Sequence, residues 1–361
     1  MIVNQFVFRS IGVNRINNLF NCRFYSKTQV KTVVSAIQPT GPVHLGNYFG
    51  AIKIWLNLQD DPNRQCIFNI ADLHSITLPH DPISLKNNVI TLAATLLASG
   101  IDDDKCILFQ QSRISHHTQL TWILLSLLSF GRLSHLPQYK EKSITLKEIP
   151  LTLLLYPVLQ ASDIILYKGD EIPIGNDQLP HLNVARDLVE KFNRIYGDTF
   201  PEPKALMSDD LFACRVKSLR FPEKKMSKSE AIPKGRIDII DPPEVIKERI
   251  MKSLTDSNPT ITYDPETRPG VSNLISIHKL ITGLSIEQIC SQSTGQNTCQ
   301  YKTNLAELII EHFKPIRFKY LDLIKNVDYV SSILNKGALK AENIAANTMS
   351  QVNGKLGLIP Y

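Results

Sequence analysis

"SAIQPTGPVHLGNYFGA", residues 35–51, holds proline, glycine, one histidine and one asparagine, but no formally charged side chain. A surface loop of this size would ordinarily carry Asp, Glu or Lys. A core strand would not accommodate Gln38-Pro39-Thr40-Gly41-Pro42. The β-branched run "KTVVSAI" (31–37) before it reads as a buried strand, and a helix can begin near Gly46 and run to Gln59. The stretch is therefore a strand-to-helix corner. In an open α/β sheet, ligands bind beyond the carboxyl ends of the strands. A Gly-rich corner there aims backbone N–H groups and the positive end of a helix dipole at an anion, and an acidic side chain would repel it. His44 and Asn47 supply neutral hydrogen-bonding groups, and Gly46 permits close approach of a nucleotide. The plainer alternative is a structural corner around a buried histidine. The phosphate-loop pattern G-x-x-x-x-G-K-[ST] is absent, because no lysine follows the glycines.

The alternation continues outward from this corner. "CIFNI" (66–70) and "CILFQ" (106–110) read as strands, with a helix between them from Asp81-Pro82 to Ser99, stopped by Gly100. "HTQLTWILLSLLSF" (117–130) is helical and apolar, "EIPIG" (171–175) is a short strand, and a helix follows from about Asp177 to Tyr196. Strands alternating with helices predict a doubly wound, Rossmann-like parallel sheet. "RFPEKKMSKSEAIPKG" (220–235) is a polar loop, and beyond Asp241 only helical patterns occur: 242–254, 271–283, 285–293, 303–326 and 328–353. The expected organisation is a leader over 1–27, a catalytic domain over 28–240 with a helical insertion at about 111–160, and a helical domain over 241–361.

A hydrophobic content of 43% and a charged content of 20% fit an ordinary globular protein. No apolar run approaches a membrane span. Five of the six excess positive charges are Arg9, Arg15, Arg23, Lys27 and Lys31, and the first acidic residue is Asp60. That leader composition predicts import into mitochondria and localisation in the matrix, a disordered native terminus being the alternative. With five of the six excess charges in the first 31 residues, net charge gives no evidence of a nucleic-acid surface. Cys22, Cys66, Cys106, Cys214, Cys290 and Cys299 show no C-x-x-C spacing, so neither zinc nor an iron–sulfur cluster is expected.

The lysine missing from the corner arrives in "KMSKS" (225–229). Lys225 and Lys228, in a proline-flanked loop, can close over a triphosphate and neutralise charge as a phosphate bond breaks. A solvated basic loop is the plainer reading.

"HLGN" and "KMSKS" resemble the two marker motifs of class I aminoacyl-tRNA synthetases, in that order and on the expected elements. "IQPTGPVHLGNYFGA", "YKEKS" (139–143), "YPVLQASDIILY" (156–167), "IPIGNDQ" (172–178) and "TYDPETRPGVSNL" (262–274) are similar to the tryptophanyl-tRNA synthetase family, over roughly residues 32–361. The resemblance implies ATP with Mg²⁺, L-tryptophan and tRNA(Trp) as partners, and a homodimer. It places Gln38, Pro39, Thr40, His44, Gly46 and Asn47 at ATP, with Gly175, Asn176, Asp177 and Gln178 near the ribose and the amino acid. It gives Val216 a backbone contact to adenine. Lys142 would reach the phosphates, Lys225 and Lys228 would hold the pyrophosphate, and Met226, Ser227 and Ser229 would join the ATP site. His44, Asn47, Lys142, Lys225 and Lys228 form the implied catalytic set. His74 and Tyr156 would enclose the substrate, and Asp163 would accept the indole N–H. Gln160 and Asn176 depart from the family, in which Met and Glu are usual at those places.

Asp163 also has a physical rationale of its own. Tryptophan's ring is apolar except for one donor, and a pocket that buries the ring must place an acceptor there. A site built this way rejects rings lacking the donor by roughly 10⁴–10⁵. The alternative is a carboxylate on a helix surface. Three rivals remain for the chain as a whole: a tyrosyl-tRNA synthetase, a non-catalytic RNA-binding protein on a decayed synthetase scaffold, and a small nucleotidyltransferase.

Overall fold

Strand β1 (Lys31–Ile37) pairs in parallel with β2 (Arg64–Ile70), from Lys31 opposite Arg64 to Ile37 opposite Ile70. A computed structural model describes residues 30–145, 148–207, 216–228 and 233–358 of the chain. The leader reading (1–27) and Ser229 lie outside the described residues, as does the side chain of Lys142 on the helix Pro137–Thr145. β3 (Cys106–Gln110), β4 (Glu171–Pro173) and β5 (Lys204–Leu206) complete a sheet of order β3-β2-β1-β4-β5. All pairings are parallel. The chain steps outward from β1 to β3 and then returns beside β1, so the strand order switches between β1 and β4. That is where an open sheet of this kind presents its crevice.

Alternation along the strands divides the core. Val33, Cys66, Phe68 and Leu108 face one side, in one apolar cluster with residues of the helices Pro82–Ser99 and Thr298–Leu323. Val34, Ile67, Ile107 and Phe109 face the other, clustered with residues of Leu151–Ile165, Leu179–Tyr196 and Val327–Leu356. The helical C-terminal region thus shares both faces of the core. Its last helix also lies on the outer strand β3: a Cβ at Gly337 would fall 1.9 Å from the Leu108 carbonyl oxygen. Glycine in mid-helix normally costs about 1 kcal/mol, and here it permits the contact that covers an otherwise exposed sheet edge.

Local signals held at several ends. Asp81 caps the helix Pro82–Ser99 by accepting the Ser84 N–H at 2.7 Å, and Gly100 ends it with φ +114°. One expectation is corrected and one strand was not expected. The single helix over 117–130 is two, His116–Leu125 and Phe130–Ser134, the second capped by Ser129. The strand β5, three residues long, carries no alternation that a sequence reading could detect. Among the described residues no helix is long and apolar enough to cross a membrane.

Candidate active site

The neutral corner opens from the carboxyl end of β1 as one helical turn, Leu45–Asn47, then a π-helical turn, Tyr48–Ile52, and the helix Lys53–Gln59. His44 caps it, its Nδ1 accepting the Asn47 N–H at 3.3 Å. Nδ1 is therefore the bare nitrogen and Nε2 carries the hydrogen. Gly46 makes this possible, because a Cβ there would lie 3.1 Å from the folded-back imidazole. Burial, reinforced by Lys228, Arg236 and Lys225, holds His44 down at about 3, so the ring is neutral at physiological pH.

The corner offers fewer backbone donors than its sequence suggests. The Leu45 N–H goes to the Ile237 carbonyl at 3.0 Å, and the Asn47 N–H goes to His44. The Ile239 N–H in turn reaches the Val43 carbonyl at 2.9 Å. The segment that follows the lysine loop is thus annealed to the corner itself. At the loop's other end, the Met226 N–H donates to the Val216 carbonyl at 3.0 Å and the Met226 side chain is buried. Lys228 donates from Nζ to the Gly41 carbonyl at 2.9 Å, while Arg236 holds the Lys228 carbonyl at 2.9 Å. Burial brings the Lys228 ammonium down to about 8, with Asp238 opposing and Arg236 adding to the effect.

These constraints bring two motifs some 180 residues apart to one cleft of about 660 Å³, lined by Gln38, Thr40, His44, Gly46, Asn47 and Asp177 with Lys225, Met226, Ser227 and Lys228. The cleft holds two lysines and a neutral imidazole, and the buried Oδ1 of Asn47 has no partner. Such a set suits a polyanion.

A second cavity of about 530 Å³ adjoins it and shares Gln38 and Asp177. It is bounded by β1 and β4, by Gly175 and Gln178, and by His74, Tyr156, Gln160 and Asp163. Asp163, on the helix Leu151–Ile165, is only 3% exposed. Burial alone would raise its carboxyl, but hydrogen bonds from His117 and His74 outweigh that and hold it at about 2. His74 Nε2 lies 2.9 Å from Oδ2, while Gln111 Nε2 and His117 Nδ1 each lie 2.7 Å from Oδ1. Across the cavity, Tyr156 Oη meets His181 Nε2 at 3.1 Å, and Gln160 donates to Gln178 at 3.3 Å. Gln178 donates to Asp177 at 2.8 Å.

Most expected site residues therefore converge, with exceptions. Pro39 lines a third, adjoining hollow of about 370 Å³ that also touches Gln38 and Tyr156. Val216 is buried behind Gly46 and lines neither main cavity, its carbonyl already taken by Met226. Asn176 is exposed and lines neither cavity. The sequence reading missed Gln111, His117, Tyr167 and Arg236. Gln111 and His117 follow the carboxyl end of β3, so the rule that located the corner was also their available signal.

Known proteins share this chain's sequence and fold. The family model described as tRNA synthetases class I (W and Y) matches residues 26–314. The tryptophan–tRNA ligase of Caldanaerobacter subterraneus subsp. tengcongensis is 42% identical over 332 residues, 91% of this chain and 99% of that protein. The crystal structure of tryptophanyl-tRNA synthetase from Mycoplasma pneumoniae superposes with a TM-score of 0.80 at 31% identity, covering 91% of this chain and 98% of that one. The Campylobacter jejuni tryptophanyl-tRNA synthetase, solved with ADP and tryptophan, gives 0.79 at 32% identity, covering 91% and 100%. The chain belongs to the tryptophan–tRNA ligases, within the class I tRNA synthetases of the W and Y type.

Proposed function

We propose that the chain activates L-tryptophan with ATP and transfers it to tRNA(Trp), in the service of organellar translation. One observation carries the reading: a cavity built around an ionised, buried Asp163 shares Gln38 and Asp177 with an adjoining cleft bearing Lys225, Lys228 and neutral His44. An apolar ring with one donor fits the first and a triphosphate fits the second, so the amino acid's carboxylate would face the α-phosphate where the cavities meet.

The carboxylate is ionised at neutral pH and needs no general base to attack the α-phosphorus in line. Catalysis then rests on positioning and on charge stabilisation as pyrophosphate departs. Lys228 would exchange the Gly41 carbonyl for phosphate oxygens, and Lys225 would join it from the same loop. His44 would donate from Nε2. Lys142 is assigned to the phosphates by family resemblance. Among the described residues no three ligating side chains converge on a possible metal position, and the cleft's groups are cationic or neutral apart from Asp177 at the border with the second cavity. They fit a polyphosphate that brings Mg²⁺ with it, the ion offsetting charge on the leaving pyrophosphate. In the second step the terminal adenosine's 2′-hydroxyl would attack the carbonyl carbon of the tryptophanyl-adenylate, forming the ester as the anhydride bond breaks and AMP leaves, with the hydroxyl proton released.

The helical region beyond Asp241 is proposed to contact the anticodon. Dimerisation is proposed through the helices between β3 and β4, where Trp122 is 78%, Phe130 70% and Leu151 74% exposed. The basic, acid-free leader supports mitochondrial import.

Amino-acid-dependent ATP–pyrophosphate exchange across the standard amino acids tests the core reading. Exchange with tryptophan is expected; exchange driven by tyrosine instead, or by no amino acid, would refute it. Light scattering tests the dimer. A fluorescent reporter carrying residues 1–27 should enter mitochondria, and diffuse cytosolic signal would retire the leader assignment.

A further inference from the structure

Asp163 is held from two sides, and the two sides are not equivalent. A carboxylate offers about four acceptor positions. Oδ1 receives two donors, Gln111 Nε2 and His117 Nδ1, both at 2.7 Å. Oδ2 receives one, His74 Nε2 at 2.9 Å. Asp163 and His74 line the cavity, whereas Gln111 and His117 lie behind its wall. Among the described residues, the one acceptor position left open is thus on the oxygen whose existing partner faces the cavity.

His117 is itself fixed. It is fully buried, its ring packs on Phe109 with centroids 6.0 Å apart, and its Nε2 lies 2.9 Å from Tyr167 Oη. Its backbone carbonyl accepts the Ser162 hydroxyl at 2.8 Å, tying it to the residue beside Asp163. One tautomer satisfies both ring contacts: Nδ1 carries the hydrogen given to Asp163, and Nε2 accepts from Tyr167.

We infer that His117 is a specificity-determining positioning residue: with Gln111 it saturates Oδ1 of Asp163, so that the single vacant acceptor, on Oδ2 beside His74, is aimed at the indole N–H. This rests on the reading of Asp163 as that acceptor. His117 does not touch the substrate. Rotation about the terminal carboxylate torsion is soft, and without a second donor on Oδ1 the vacancy no longer points in one direction. The consequence is selective. A substrate that uses the vacancy loses affinity for its transition state, and one that does not use it is unaffected.

The test compares tryptophan with β-(3-benzothienyl)alanine, in which sulfur replaces the indole N–H, as kcat/KM in ATP–pyrophosphate exchange by the full chain. Asp163→Ala is the reference and should abolish the preference for tryptophan. In His117→Phe, tryptophan's kcat/KM should fall about 10–100-fold, the range for losing a hydrogen bond to a charged group, while the analogue's stays within about twofold. His117→Asn puts an amide donor near the Nδ1 position and should restore most of the preference. Should His117→Phe fail to fold, Tyr167→Phe decides: freeing the His117 tautomer should cost about 3–10-fold on tryptophan alone. Equal losses on both substrates, or no loss on either, overturn the inference. If Asp163→Ala also leaves the preference intact, the reading of Asp163 fails; if only the His117 and Tyr167 variants do, that reading stands and this inference falls.

Discussion

Asp163 and Lys228 are both ionisable, both withdrawn from water, and stand in adjoining cavities, yet they are supported very differently. Asp163 has three side-chain donors in place, and its carboxyl stays ionised down to about pH 2 in spite of burial. Among the described residues the Lys228 ammonium donates to one backbone carbonyl, and it slips to about 8. The indole side is complete before substrate arrives. The phosphate side is short of negative charge, which the ligand itself would supply. Recognition of a neutral ring with one donor demands an acceptor of fixed direction; attraction of a polyanion demands only accumulated positive charge.

Removing the fixed acceptor should break the comparison most severely. Asp163→Ala leaves three buried donors facing a void, so selectivity for tryptophan over phenylalanine should fall about 10³-fold or more, and stability should fall by about 3 kcal/mol. Pyrophosphate exchange with each amino acid, and thermal melting, report the two effects. Preserved selectivity would mean that another group reads the indole.

Lys228→Ala should slow adenylate formation about 10²–10³-fold, the loss of one preorganised transition-state donor. Tryptophan affinity by calorimetry should stay as it was. A parallel loss of tryptophan binding would show that the two cavities are not separable.

The difference in protonation should appear as pH dependence. Below about 8 the free enzyme holds the Lys228 ammonium, which faces Asp238 and Arg236. As pH rises through that value the free lysine loses its proton and must regain it to bind a triphosphate. ATP's kcat/KM should therefore fall by up to about tenfold per pH unit above 8, with tryptophan's dissociation constant flat over the same interval. His44, neutral throughout, should contribute no inflection between 6 and 8.

The smallest effect is expected at Gly46→Ala. The added methyl presses a ring 3.1 Å away, which must shift by a few tenths of an ångström. A rise in the KM for ATP of about tenfold or less is expected, with the KM for tryptophan constant.

Legibility in the sequence follows the same division. The phosphate side was readable because its requirements are local: a run free of charge, a glycine beside a histidine, two lysines in a proline-flanked loop. Asp163 was readable because a carboxylate in "PVLQASDIILY" stands out against its apolar neighbours. Its partners were not. His117 and Gln111 lie 46 and 52 residues away along the chain, on elements whose periodicity announces only a helix and a strand end. Nor did "GRIDII" reveal that Arg236 would clasp the Lys228 carbonyl, or that Ile237 would anchor the corner. The last helix read as part of a separate helical region, but Gly337 lays it against β3.

Alternating apolar runs determined the parallel sheet and its flanking helices, because burial of one face dictates the residue types on it. Residue chemistry also fixed what kind of ligand the corner and the lysine loop could attract. The tertiary structure alone decided that these two motifs share a cleft with the Asp163 cavity, and which oxygen of Asp163 stays open. Those facts depend on the direction and distance of hydrogen bonds between elements far apart in the chain, and no local pattern carries that information.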